Sequence, residues 1–75
     1  MKLSELCLNQ IGIVEDINCD ENIKRRLLDI GLVKGTNIVP VLQSPSKDPR
    51  AFEIRGTIIA IRREDTEKIE VKLCK

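Results

Sequence analysis

The chain has 75 residues, 33% of them charged, yet its formal net charge is only +1. A chain this short covers only roughly 60% of the surface its unfolded form exposes, which leaves one small domain over residues 1–75 and too little core for a deep substrate pocket. Mixed signs build no strong positive field of the kind phosphate contacts need. The lone aromatic, Phe52, is too little for a base-stacking platform or a groove for proline-rich peptides.

The chain opens on Leu3-Ser4-Glu5-Leu6, where Ser4 is placed to cap a short helical turn with Leu3 and Leu6 facing inward. Asn9-Gln10 reads as a turn. Ile11 to Ile17 then reads as a strand with Ile11, Ile13 and Ile17 on one face; Glu15 breaks the alternation, which points to a bend or bulge near Val14 or simply to a looser fit. Asp20 is a good N-cap for a helix from Glu21 to Ile30, with Ile23, Leu27 and Ile30 as its apolar stripe. Glu21 and Arg25 have the spacing of a helical ion pair. Gly31 follows as the left-handed residue past the helix end, and Leu32 as the apolar residue that folds back on it.

Asn37 to Gln43 reads as a strand interrupted by Pro40, which has no N–H to give a ladder, so the strand should lie at an edge or carry a bulge. An exposed edge there would leave the protein a monomer or a weak homo-oligomer. Residues 44–50, with Pro45, Asp48, Pro49 and Arg50, are a loop by composition. With Gly56-Thr57 as a two-residue turn of type II′, Ile54 falls opposite Ile59 and Phe52 opposite Ile61, all on one face. Residues 64–67 form a polar connection of one helical turn, and Lys68 to Leu73 alternates as the last strand. Five short strands and one helix make a mostly β domain, and a sheet of that size covers its edges and bare face by curling into a small SH3-like barrel.

The chemistry in the side chains is sparse. Gly31-Leu32-Val33-Lys34-Gly35-Thr36 has the ingredients of a phosphate loop but the wrong spacing, and it follows a helix end that presents carbonyl oxygens. There is no histidine, and Cys7, Cys19 and Cys74 are scattered, so no catalytic group, metal site or cofactor site is assigned. The acidic pairs Glu15-Asp16, Asp20-Glu21 and Glu64-Asp65 are the remaining ligand candidates; neighbours on a strand point apart, and Asp20-Glu21 suits a helix N-terminus. Lys24-Arg25-Arg26 reads as a solvated helix face with a rim contact for an acidic partner as its functional alternative. Val33, with or without Leu32, would line a small cleft beside the Pro45–Arg50 loop, a charge-rimmed apolar patch of the kind partners dock on. No run approaches the ~20 apolar residues of a membrane span, and Glu5 stands where a signal peptide would begin its apolar run, so a cytoplasmic protein is expected.

Taken together, Arg25-Arg26-Leu27-Leu28-Asp29-Ile30-Gly31-Leu32-Val33-Lys34-Gly35-Thr36, then Pro45 with Asp48-Pro49, then Gly56, Ile61-Arg62-Arg63 and Ile69-Glu70-Val71, resemble the ferrous iron transport protein A (FeoA) family. Lys47 stands where that family often has glycine, and Thr66 where alanine is common. The resemblance implies an SH3-like barrel in the cytoplasm that assists ferrous iron uptake through the membrane transporter FeoB, which carries its own GTP-binding domain. It also implies the rival reading, a metal-sensing domain like the C-terminal barrel of iron-dependent repressors. The residues expected to meet a protein partner are Arg25, Arg26, Leu32, Val33, Lys34, Pro45, Asp48, Pro49 and Arg50.

Overall fold

A computed structural model describes residues 1–46 and 48–74; the departure from the family at Lys47 lies outside the described residues. A 3-10 turn, Leu3–Glu5, leads into β1 (Gly12–Ile17), α1 (Glu21–Asp29), β2 (Asn37–Gln43), β3 (Arg50–Ile54), β4 (Thr57–Ile61), the single-turn α2 (Arg63–Thr66) and β5 (Ile69–Leu73). The strands form one antiparallel sheet in the order β4-β3-β2-β1-β5. The sheet is wrapped around Leu3, Val14, Ile38, Phe52, Ile54, Ile69 and Val71, each no more than 1% exposed. This is the mostly β, SH3-like architecture expected from the strand count.

The first turn buries Leu3 and Leu6, but Ser4 does not cap it. The Glu5 carboxylate instead accepts the Lys2 N–H at 2.7 Å. In β1 the register shifts between Val14 and Asp16, leaving Glu15 as the extra residue. The bulge restores alternation across an odd spacing, so Gly12, Val14 and Ile17 face the core. Ile11 is 43% exposed and Ile13 half-buried, so the expected face is corrected by one residue.

Helix α1 matches its signals at both ends. Asp20 Oδ1 accepts the Ile23 N–H at 3.0 Å. Gly31 has φ +93, and the N–H groups of Leu32 and Gly31 reach back to the carbonyls of Leu27 and Leu28, each at 2.9 Å. That paired closure demands a left-handed residue, which only glycine adopts without steric penalty. Leu27 is the buried residue of the helix, with Ile23 and Ile30 half-exposed beside it. Among the described residues the ion pairs join the N-terminal amine to Glu70 and Arg63 to Glu67; Glu21 and Arg25 form none.

Pro40 sits in the central strand rather than at an edge. It is buried, and the register of β2 against β3 shifts between Pro40 and Leu42. β1 meets β2 only at Gly12–Ile38 and Ile13–Asn37, so no ladder bond from residue 40 is required. The bulge, rather than an edge position, is how the strand accommodates this proline, and the outer strands of the sheet are β4 and β5.

The β3–β4 turn is Arg55-Gly56, not Gly56-Thr57. Both have positive φ, +51 and +84, the signature of a type I′ turn, whose twist matches that of the strands it joins. Ile54 pairs with Thr57 and Phe52 with Ile59, two residues from the expected register. A slip of two conserves the faces, so Phe52, Ile54 and Ile61 are buried as expected.

Candidate functional site

The main concave feature is a groove of about 470 Å³ between α1 and the β4–α2 segment. Ile23, Leu27 and Ile30 line it from the helix, and Ile59, Ala60 and Ile61 from the strand. Arg26, Arg62, Glu64 and Asp65 supply its polar residues. On α1 Leu27 is buried, while Ile23 and Ile30 pack against the core and keep part of their surface open to the groove. Sequence reasoning missed it, since it depends on which strand the helix packs beside. The one available signal was the uncharged run Thr57–Ile61 next to Arg62-Arg63.

The residues expected at a partner surface do not form one cleft. Arg25 and Arg26 are exposed on α1, and Val33 and Lys34 are exposed just beyond it. Leu32 has no exposed surface, which corrects any role for it as an open contact; it seals the helix end. Pro45, Asp48 and Pro49 are exposed, and Asp48 Oδ1 accepts the Arg63 N–H at 2.9 Å, tying the loop to α2. Arg50 turns inward, donating to the carbonyls of Leu6 at 2.8 Å and Ser4 at 3.3 Å, with its guanidinium 5.5 Å from the Phe52 ring centre. It pins the N-terminal turn to β3.

The two segments are also apart. A Cβ built on Gly31 would lie 2.9 Å from Arg55 Cδ, so the helix exit abuts the β3–β4 turn, while the loop ends at Arg50, at the other end of β3. A five-residue strand separates them by roughly 13 Å. The expected single cleft between Val33 and the Pro45–Arg50 loop is therefore replaced by the α1–β4 groove.

Among the described residues no three histidine, cysteine, aspartate or glutamate side chains gather to hold a metal ion. Asp16 accepts the N–H of Ile17, Asp20 caps α1, and Glu64 and Asp65 sit in the first turn of α2. Cys7 and Cys74 are exposed; Cys19 is half-buried and donates its S–H to the Asp65 carbonyl at 3.6 Å. Burial raises the Cys19 thiol pKa above its ordinary value, and the nearby charge of Asp65 raises it further. That thiol is held protonated and is a poor nucleophile.

The FeoA domain model matches residues 1–73. A fusion protein of Porphyromonas gingivalis, Fe(2+) transport protein A joined to the Fe(2+) transporter FeoB, is 34% identical over 73 residues, covering 97% of this chain and 9% of that protein. The chain thus spans only a small part of that relative. The solution structure of FeoA from Chlorobium tepidum superposes with a TM-score of 0.96 at 32% identity, covering 100% of this chain and 71% of that one. FeoA of Stenotrophomonas maltophilia, a prokaryotic SH3 domain protein solved with zinc, gives a TM-score of 0.83 at 30% identity, over 96% of this chain and 89% of that one. A manganese-dependent transcriptional repressor shares the fold alone, with a TM-score of 0.80 at 14% identity over 92% of this chain and 39% of its own. Matched by the family model over residues 1–73 and superposed over its whole length on a solved member, the chain belongs to the FeoA family.

Proposed function

We propose that this protein is a cytoplasmic accessory of ferrous iron uptake that acts by protein contact with the cytosolic part of a FeoB-type transporter, without catalysis of its own. The observation that carries the reading is the Porphyromonas gingivalis fusion, in which a domain like this one is joined covalently to FeoB. Tethering two modules raises their effective concentration to roughly millimolar, which serves a contact that is weak when they are separate. The side chains supply an apolar groove with a charged rim, the makeup of a docking surface. In this reading the exposed Arg25, Arg26, Val33 and Lys34 surround the main contact, and Pro45, Asp48 and Pro49 make a second one at the far end of β3. No helix among the described residues is long and apolar enough to cross a membrane, so the contact is made from outside the bilayer.

Capture from membranes carrying the transporter is the direct test. Co-purification is expected in at least one nucleotide or iron state, and its absence in all of them would sink the reading. The rival, a metal-sensing domain, draws on the zinc complex of the Stenotrophomonas maltophilia protein. Anaerobic calorimetry with Fe(II) and Mn(II) separates the two: stoichiometric binding by the isolated chain would favour the sensor.

A further inference from the structure

Edge strands of native sheets are usually protected by charge, proline or a bulge, because their free backbone groups template pairing with another chain. The outer strand β4 has none of these. Its sequence, Thr57-Ile58-Ile59-Ala60-Ile61, carries no charge and no proline, and its five pairs with β3 run without a register shift. Ile58 is 58% exposed. The α1–β4 groove is lined by Ile59, Ala60 and Ile61, three consecutive residues whose side chains alternate in face, and by no residue of β3. A groove so lined runs along the free backbone edge of the strand, with α1 as its opposite wall.

The turn settles which backbone groups are free. In a two-residue hairpin the residues flanking the turn, Ile54 and Thr57, exchange hydrogen bonds, and the pairs then alternate. Thr57, Ile59 and Ile61 therefore bond to β3, while Ile58 and Ala60 direct their N–H and C=O groups away from it, along the open edge that borders the groove at Ala60. A helix wall, a strand edge and an apolar floor together form the arrangement that accepts an extended peptide as an added strand.

Charge decides between occupants. A second copy paired antiparallel along this edge would bring the Arg62-Arg63 that follows its own β4 towards the Arg55 turn, and like charges repel. A segment with a carboxylate at that position turns the repulsion into attraction. Arg55 stands where the helix exit at Gly31 meets the β3–β4 turn, so its charge sits at the turn end of the β4 edge. We propose that the free edge of β4, facing α1, binds an extended apolar segment of a partner protein as a sixth, antiparallel strand, with an acidic residue at the segment's C-terminal end against Arg55. This rests on the docking reading above and names the chemistry of the segment that the transporter, as partner, would supply.

The test is amide hydrogen exchange by NMR on the full chain, with the synthetic peptide acetyl-Thr-Val-Thr-Val-Thr-Glu-amide as probe. At roughly 90% saturation, exchange at Ile58 and Ala60 should slow about 10-fold, while Ile59, already in the β3 ladder, stays unchanged. A peptide N-methylated at alternate amides facing β4 should lose the effect. Arg55→Glu should weaken binding of this peptide about 10-fold and improve binding of the version ending in lysine. Unchanged exchange at Ile58 and Ala60, or equal binding by the N-methylated peptide, would overturn the proposal. So would slowing that grows with the protein's own concentration, which would mark self-pairing. Because the probe contains nothing of the transporter, failure here with intact membrane capture removes the groove and spares the docking reading; the reverse result removes the docking reading alone.

Discussion

Replacing Arg50 with alanine should destabilise the fold rather than merely weaken a surface contact. The guanidinium donates to two backbone carbonyls, of Leu6 at 2.8 Å and Ser4 at 3.3 Å, and lies over Phe52. Hydrogen bonds from a charged donor contribute about 1.5–3 kcal/mol each, and half-exposure with one long distance places these at the low end. The cation–π contact adds about 0.5–1 kcal/mol. Against this, Nε is buried without a partner among the described residues, which costs about 1 kcal/mol in the native protein and is relieved by truncation. The net loss is about 2–3 kcal/mol, around half the stability of a small domain. For a domain of this length it corresponds to a Tm lowered by roughly 10–20 °C, read by circular dichroism. Arg50→Lys keeps the charge but can reach only one carbonyl at a time, so it should recover about half of that loss. A Tm within about 3 °C of the parent for Arg50→Ala would refute the pin and return Arg50 to the surface contacts.

The helix exit and the β3–β4 turn give a paired test. Gly31→Ala should cost about 1–2 kcal/mol in urea unfolding, because φ +93 is strained for alanine and its Cβ would press on Arg55 Cδ at 2.9 Å; Gly56→Ala, at φ +84 with open space around it, should cost only the backbone share, about 1 kcal/mol. Arg55→Asn should raise stability by about 0.5 kcal/mol, since asparagine tolerates φ +51 at the first position of a type I′ turn better than arginine does. Asp20→Ala should lower stability by about 1 kcal/mol through loss of the cap on the Ile23 N–H, and an unchanged urea midpoint would refute that cap. Cys19 should alkylate far more slowly than the exposed Cys7 and Cys74 in native protein and catch up on unfolding. Its folded pKa is raised, so native protein holds that proton more tightly than unfolded chain does; stability should be flat below the thiol's ordinary value of 9.0 and fall as pH rises past it, as urea titrations at pH 8 and pH 10 will show.

Local order was readable wherever a signal lies within a few neighbouring residues. Asp20, the Ile23–Leu27–Ile30 stripe, Gly31 and Leu32 specify α1 and its closure, because capping and helical periodicity act over one or two turns. The alternation in residues 50–61 and 69–73 specifies which side chains face inward, because the pleat has a period of two. The same patterns gave a register two residues off, on a Gly56-Thr57 turn, because a slip of two conserves every face and only the twist preference of the Arg55-Gly56 turn selects the real one. The face of β1 was misassigned at Ile11 and Ile13 for a related reason: the bulge at Glu15 puts Val14 and Ile17 on one face across an odd spacing.

By itself, the sequence determined a small, mostly β barrel with one capped helix, and a side-chain inventory with no histidine and three scattered cysteines. Only the tertiary structure decided which residues share its concave surface. It buried Leu32, turned Arg50 inward, moved Pro40 to the central strand and set Val33 and the Pro45–Arg50 loop at opposite ends of β3. The physical reason is range: caps, turns and pleats are interactions between neighbours in the chain, whereas the groove joins residues 23–30 to residues 59–65, which meet only once the sheet has closed.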